Sequence, residues 1–144
     1  MRKRTQAREY ALQLLYKGEL NPEAPATLFS AFWEENPAPD EVREYTERVV
    51  SGTLQHLSEI DSVISKYAEH WELHRMAVVD RNILRLSTYE LLYLEEIPPK
   101  VAINEAVNIA KKYSQEDSGK FVNGILDRIN HTEPRRKENE TKPT

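Results

Sequence analysis

The chain has 144 residues, with 20 Lys and Arg against 24 Asp and Glu, a formal net charge of −4, 4 glycines and no cysteine. The lack of cysteine excludes disulfides, thiolate zinc sites and a cysteine nucleophile. No apolar run approaches the roughly 18 residues of a membrane span, and the charged N-terminus has no signal-peptide pattern. We therefore expect a cytoplasmic protein without a membrane partner.

The predicted elements are helices throughout, because glycine is scarce and apolar residues recur three and four positions apart along most of the chain. In chain order they are a helix over about residues 4–19, a short helix around Phe29 and Phe32, helices beginning near Asp40 and Ser58, a helix over about 77–94, a helix after Pro98-Pro99, and a last helix capped by Ser118. The helix over 77–94 is apolar all round, which predicts a buried position. The pattern indicates an all-α protein.

The C-terminal residues 131–144 contain no hydrophobic side chain. A segment of this composition cannot bury enough apolar surface to offset the entropy of ordering, so we predict a disordered tail there.

The first candidate site lies on the first helix, close to the basic N-terminus formed by Arg2, Lys3, Arg4 and Arg8. At about 100° per residue, Tyr16 falls outside the apolar stripe and on the same arc as Arg8. Basic side chains attract phosphates and an exposed ring can stack on a base, a combination used by single-stranded RNA sites. The alternative is that Tyr16 packs against the C-terminal half and the arginines are merely solvated.

The second candidate site is the loop that enters the last helix. Lys111, Lys112 and Tyr113 precede it, and Lys120 follows it. A helix N-terminus with nearby lysines suits phosphate oxygens, although the spacing is not that of a P-loop. An ordinary capped helix with a solvated loop is the alternative.

Catalytic and metal patterns are weak. His70 and His74 are four residues apart, but Trp71 stands where a zinc protease needs Glu. Asp80 and Glu90 are about 15 Å apart along one helix, too far for joint acid–base work. We predict no enzyme activity, no cofactor and no metal.

Four segments together resemble the family of the transcription antitermination factor NusB, over about residues 2–130. They are Arg8-Glu9-x-Ala11-Leu12-Gln13-x-Leu15-Tyr16, Val79-Asp80-Arg81-Asn82-Ile83-Leu84-Arg85-Leu86 with Tyr89-Glu90-Leu91, Ile97-Pro98-x-Lys100-Val101-Ala102-Ile103-Asn104-Glu105-Ala106, and Lys120-Phe121-Val122-Asn123-Gly124-Ile125-Leu126-Asp127. The resemblance implies two packed helical bundles of about seven helices within a single domain over residues 1–130. The bundles would span about residues 4–70 and 75–130.

The resemblance also implies a function. With the ribosomal protein NusE, the family binds single-stranded boxA RNA of ribosomal operons and supports transcription and maturation of ribosomal RNA. RNA polymerase and other antitermination factors would be indirect partners. By position, the RNA contacts would be Arg2, Lys3, Arg4, Arg8, Tyr16, Tyr113, Asp117, Lys120 and Phe121. Asp80 would contact NusE, and Phe121 has a spacing that also suits the core.

Two other interpretations stay open. One is a stand-alone RNA-binding domain related to that of ribosomal RNA cytosine methyltransferases. The other is a structural homodimer, which could also coexist with RNA binding.

Overall fold

The computed structural model describes residues 2–22, 24–69 and 71–137, and in this part of the chain the fold is all-helical. It contains seven α-helices and one short 3-10 turn: α1 (Lys3–Leu20), α2 (Pro25–Glu35), α3 (Asp40–Gln55), α4 (Leu57–Tyr67), the 3-10 turn (Leu73–Arg75), α5 (Val78–Tyr93), α6 (Pro99–Tyr113) and α7 (Ser118–Thr132). The predicted all-α fold class and the number of helices are confirmed.

Helix boundaries follow local chemistry, with small departures from the prediction. Pro25 and Pro99 occupy the first position of α2 and α6, where the missing N–H of proline costs no helical hydrogen bond. Ser118 was predicted to cap α7 but is its first residue, and Asp117 takes the cap position. The hydroxyl of Ser118 is instead turned towards a side chain of α5.

Helix α5 is the centre of the fold. It packs against α1, α3, α4, α6 and α7, and nearly all of its residues are buried, as its apolar surface predicts. Gly52 on α3 permits the close approach of α5, because a Cβ atom there would lie 2.0 Å from the ring of Tyr89. The buried hydrophobic side chains form one continuous cluster that includes all seven helices. The division into two bundles at about residues 70–75 stays a prediction.

The C-terminal segment is ordered further than predicted. Helix α7 runs to Thr132, and the residues after it return to the body of the protein. Arg135 donates hydrogen bonds to the carbonyls of Leu94 and Ile97, and Glu133 accepts one from Tyr67. Hydrogen bonds to backbone carbonyls and to a tyrosine side chain therefore hold the segment that lacks hydrophobic contacts. The remainder of the predicted tail, residues 138–144, lies outside the described residues.

Within the described ranges, no helix combines the length and apolar character that crossing a membrane requires.

Candidate nucleic-acid interface

Helix α1 carries most of the predicted site, and its surroundings decide which side chains are accessible. It packs against α3 and α5, and its residues Thr5 and Glu9 bond to side chains of α6. Because neighbours cover α1 on more than one side, residues outside its main apolar stripe are also buried. The sequence pattern treats the helix as if it had a single buried side.

Arg8 is the clearest correction to the predicted site. It is only 2% exposed, whereas the prediction placed it on the RNA surface. Its Nε lies 2.9 Å from Oε2 of Glu90, and its Nη1 lies 2.8 Å from Oε1 of Glu105. Tyr45 donates a hydrogen bond to the same Glu90 carboxylate. The guanidinium of Arg8 is thus committed to a buried network and is not available to phosphate.

The partners of Arg8 stabilise its charge against burial. Burial disfavours the charged form of Arg8, but the carboxylates of Glu90 and Glu105 outweigh this and raise its pKa. The same network raises the pKa of Tyr45, chiefly through burial and the adjacent Glu90. Arg8 and Tyr45 accordingly keep their protons across the physiological pH range, whereas at Glu90 burial outweighs Arg8 and Tyr45 and raises the pKa of the carboxyl group.

Lys3 and Arg4 lie on the α3 side of α1. Lys3 is paired with Glu41 at 2.9 Å, and the guanidinium carbon of Arg4 lies 4.0 Å from the ring centroid of Tyr45. Both side chains line a hollow of about 310 Å³ that also contains Glu44. Both residues remain exposed. Acidic neighbours weaken the local positive potential.

Arg2 lies at a second hollow, between α1 and α6. This hollow has a volume of about 500 Å³, and a neighbouring one of about 270 Å³ lies farther along α1. Glu9 lines both hollows. We refer to the two together as the α1 groove, lined by Arg2, Thr5, Glu9, Leu12, Gln13, Tyr16, Lys17, Val79, Glu105, Asn108, Ile109, Lys112 and Tyr113.

The α1 groove brings the two predicted sites together. Tyr16 from the first site and Tyr113 from the second line the same hollow, although they are far apart in the chain. Tyr16 is 40% exposed, so part of its side chain is accessible from solvent. The apolar side chains of Leu12 and Val79 line the same hollow.

Glu9 organises the middle of the groove. Its carboxylate lies 3.1 Å from Nζ of Lys112 and accepts a hydrogen bond from the hydroxyl of Tyr113. The hydrogen bond to Glu9 raises the pKa of Lys112, and burial together with Glu9 raises that of Tyr113. Lys112 therefore stays cationic and Tyr113 neutral, both held in place by one carboxylate.

Glu9 and Val79 were not singled out as site residues from the sequence. For Glu9 a signal was present, because it precedes Tyr16 by seven residues, which places both on one face of a helix. For Val79 no local signal exists, since its contribution depends on how α5 packs beside α1.

The remaining predicted contacts lie at the start of α7. Asp117 and Lys120 are exposed. Phe121 is half-buried, packs against the core, and meets Trp71 edge to face with ring centroids 5.8 Å apart. Trp71 itself lies beyond the end of α4 and is 55% exposed. Phe121 therefore packs against the core, as its spacing suggested, while its contact with RNA stays a prediction.

Asp80 is enclosed rather than presented on the surface. It is 9% exposed, and its two carboxylate oxygens accept hydrogen bonds from Ser114 and Ser118. Over the described ranges, no group of three or more His, Cys, Asp or Glu side chains is placed to hold a metal ion. His70, half of the weak histidine pair, lies outside those ranges.

Comparison with known proteins places this arrangement in a family. The model of the NusB family matches residues 5–131. The transcription antitermination protein NusB of Thermodesulfovibrio yellowstonii is 44% identical over 137 residues, covering 88% of this chain and 91% of the relative. The protein of the same name from Anaeromyxobacter sp. is 48% identical over 128 residues, covering 88% of this chain and 89% of the relative.

Solved structures agree with the sequence relatives. NusB of T. maritima is 42% identical and superposes with a TM-score of 0.82, covering 96% of both chains. A chain in the crystal structure of antitermination factors NusB and NusE in complex with double-stranded RNA is 39% identical with a TM-score of 0.82, covering 91% of this chain and 98% of the other. The chain belongs to the NusB family.

Proposed function

We propose that this protein is a non-enzymatic transcription antitermination factor that binds boxA-type RNA together with NusE and supports transcription and maturation of ribosomal RNA in the cytoplasm. The observation that carries the proposal is the α1 groove, in which Tyr16 and Tyr113 line one hollow and Arg2 and Lys112 line the next.

The groove offers two kinds of contact to a nucleic-acid strand. Tyr16 and Tyr113 provide aromatic surface on which unstacked bases can stack, and Leu12 and Val79 extend that surface. Arg2 and Lys112 provide positive charge for phosphates at the other hollow. Stacking requires bases that are splayed out, so the groove favours a single strand over a closed duplex.

Other predicted residues have supporting roles in the proposal. Lys3 and Arg4 lie on the α3 side of α1 and add general attraction for the phosphate backbone. Lys120 and Phe121 extend the surface along α7. Asp117 is exposed beside them, and its negative charge suits it to tuning affinity rather than gripping phosphate. Arg8 acts indirectly, by fixing α1 against α5 and α6.

A partner protein is expected because this surface is small and mixed in charge. Glu9 pairs with Lys112 and Glu41 pairs with Lys3, which weakens the positive potential at both lysines, and the whole chain carries a net charge of −4. Binding of RNA by this chain alone is therefore weak in our proposal, and NusE supplies additional contacts. A related NusB chain is known in a complex with NusE and double-stranded RNA, which supports joint binding of RNA by the two proteins. RNA polymerase and other factors would be reached indirectly.

The proposal is tested by fluorescence anisotropy with a boxA-like strand and a scrambled strand, each over a salt series with and without NusE. We expect weak binding without NusE, and tight binding selective for the boxA-like strand with it. The salt dependence counts the phosphate contacts, at a slope of about −0.7 per contact for single strands. Equal affinity for the two strands in the ternary mixture would refute the proposal.

A homodimer is the competing arrangement. Sedimentation of the protein during titration with RNA and NusE distinguishes the two, because our proposal requires RNA and NusE to sediment with the protein. A dimer that persists when RNA and NusE are in excess, with the RNA still unbound, would favour the structural homodimer.

A further inference from the structure

Three side chains from three parts of the chain meet beside the α1 groove. Oδ1 of Asp80, in the first turn of α5, lies 2.6 Å from the hydroxyl of Ser114, and Oδ2 lies 3.1 Å from that of Ser118. The two hydroxyls are 2.9 Å apart. We call this triangle of Asp80, Ser114 and Ser118 the Asp80 clamp.

The clamp closes the loop between α6 and α7. Ser114 directly follows the last residue of α6, and Ser118 is the first residue of α7. Residues 115–117 span the interval, and one backbone hydrogen bond, from N–H of Ser118 to the carbonyl of Gln115, lies within the loop. The clamp thus fixes both ends of a loop that has little internal bonding.

The clamped ends carry the residues that the proposed function needs. Tyr113 precedes Ser114 and lines the α1 groove, while Lys120 lies two residues after Ser118. Val79, next to Asp80, lines the same hollow as Tyr113. Asp80 therefore links the end of α6, which carries Tyr113, to the start of α5, which carries Val79.

The burial of Asp80 argues against a direct contact with a partner. A carboxylate with both oxygens bonded to serines and 9% exposure presents little surface to another protein. Turning it outward would leave the two serine hydroxyls with only each other as partners and would add a desolvation cost.

We infer that Asp80 is a positioning residue for RNA binding, acting through Ser114 and Ser118 on the loop that places Tyr113 and Lys120, and that it is not a contact to NusE. This inference rests on the proposed function and adds to it a residue that touches neither RNA nor partner.

The test compares three variants of the full chain. Asp80→Ala removes the clamp. Asp80→Asn removes the charge but keeps the clamp, because an amide can accept from one hydroxyl and donate to the other. The double variant Ser114→Ala/Ser118→Ala removes the clamp while leaving the charge of Asp80 in place.

The first measurement is the affinity for a boxA-like strand with and without NusE, and the affinity for NusE without RNA. We expect Asp80→Ala and the double serine variant to lose roughly two- to tenfold in RNA affinity, the cost of re-ordering one or two side chains on binding. Asp80→Asn should stay near wild type, and all three should bind NusE alone as wild type does. An Asn variant as weak as the Ala variant, or a loss of NusE binding with RNA binding intact, would overturn the inference.

The second measurement is hydrogen exchange at the amides of residues 115–118. We expect faster exchange in Asp80→Ala than in Asp80→Asn, and unchanged exchange in both would overturn the inference. This readout needs no RNA. If the wild-type chain binds neither strand even with NusE, the proposed function fails, and exchange still decides whether Asp80 holds the loop.

Discussion

Arg2 and Arg8 belong to the same basic N-terminal stretch but have opposite environments. Arg2 is exposed and lines the α1 groove. Arg8, six residues later, is buried, and its guanidinium bonds to the carboxylates of Glu90 and Glu105. One arginine is therefore placed to attract phosphate, whereas the other fixes α1 in the fold.

The comparison shows what decides the role of a basic residue here. Arg8 has a carboxylate from α5 and another from α6 within hydrogen-bond distance, so that its charge is compensated inside the protein. A charge buried without such partners would be strongly destabilising. Substitutions along α1 test this difference between the two arginines.

The largest effect is expected for Arg8→Ala. Removing one partner of a buried ion pair leaves the other charge unpaired, which typically costs about 3–5 kcal/mol of folding free energy. Urea unfolding monitored by circular dichroism measures this loss. Arg2→Ala is the matched control and should change stability by less than about 0.5 kcal/mol. Equal stability of the two variants would contradict the structural role of Arg8.

Tyr16→Ala should have the next largest effect, on RNA binding rather than on stability. Loss of a stacking ring costs about 1–3 kcal/mol of binding free energy per base. Because Tyr16 is 40% exposed, the melting temperature of the Tyr16→Ala variant should stay close to that of the wild type. Tyr16→Phe keeps the ring and should bind RNA nearly as well. A lower melting temperature with unchanged RNA affinity would instead assign Tyr16 to packing.

A smaller effect separates the two sides of α1. Arg2→Ala should lower the magnitude of the salt slope of RNA binding by about 0.7, the value for one phosphate contact on a single strand. Lys3→Ala should change it less, because Lys3 is paired with Glu41 on the α3 side. A larger change for Lys3 than for Arg2 would move the RNA path to that side.

The smallest effect concerns acid stability at the other end of α1. Burial alone would raise the pKa of Glu19, but the hydrogen bond from Asn82 and the charges of Arg81 and Arg85 outweigh it and lower the pKa. The folded state then binds this proton less readily than the unfolded state. The stability that Glu19 contributes is present above its ordinary pKa and is lost as the pH falls through the lowered value.

Replacing Glu19 by Gln should therefore reduce stability at neutral pH and flatten its decline in acid, as measured by urea midpoints between about pH 3 and 7. Glu41→Gln on α3 is the control, because Glu41 pairs with Lys3 in an exposed position, and it should flatten the decline less. If the urea midpoint of Glu19→Gln falls in acid as steeply as that of the wild type, Glu19 does not contribute to the acid sensitivity of the fold.

Sequence periodicity was sufficient to predict the helices and the burial of α5, because both depend on patterns that repeat within one element. It also indicated that Tyr16 lies outside the main apolar stripe of α1. It could not predict the burial of Arg8, whose partners Glu90 and Glu105 are 82 and 97 residues away in the chain. The ordered residues 133–137 were missed for a related reason, since Arg135 binds backbone carbonyls, which no side-chain pattern reveals.

We propose that RNA follows the α1 groove rather than the α3 side of α1. Ultraviolet cross-linking of a boxA-like strand to the protein with NusE, followed by mass spectrometry of the peptides, tests this path directly. We predict cross-links at Tyr16 and Tyr113, which line the same hollow. Cross-links confined to exposed residues of the α3 side, such as Lys3, Arg4 and Glu44, with none at Tyr16 or Tyr113, would contradict it.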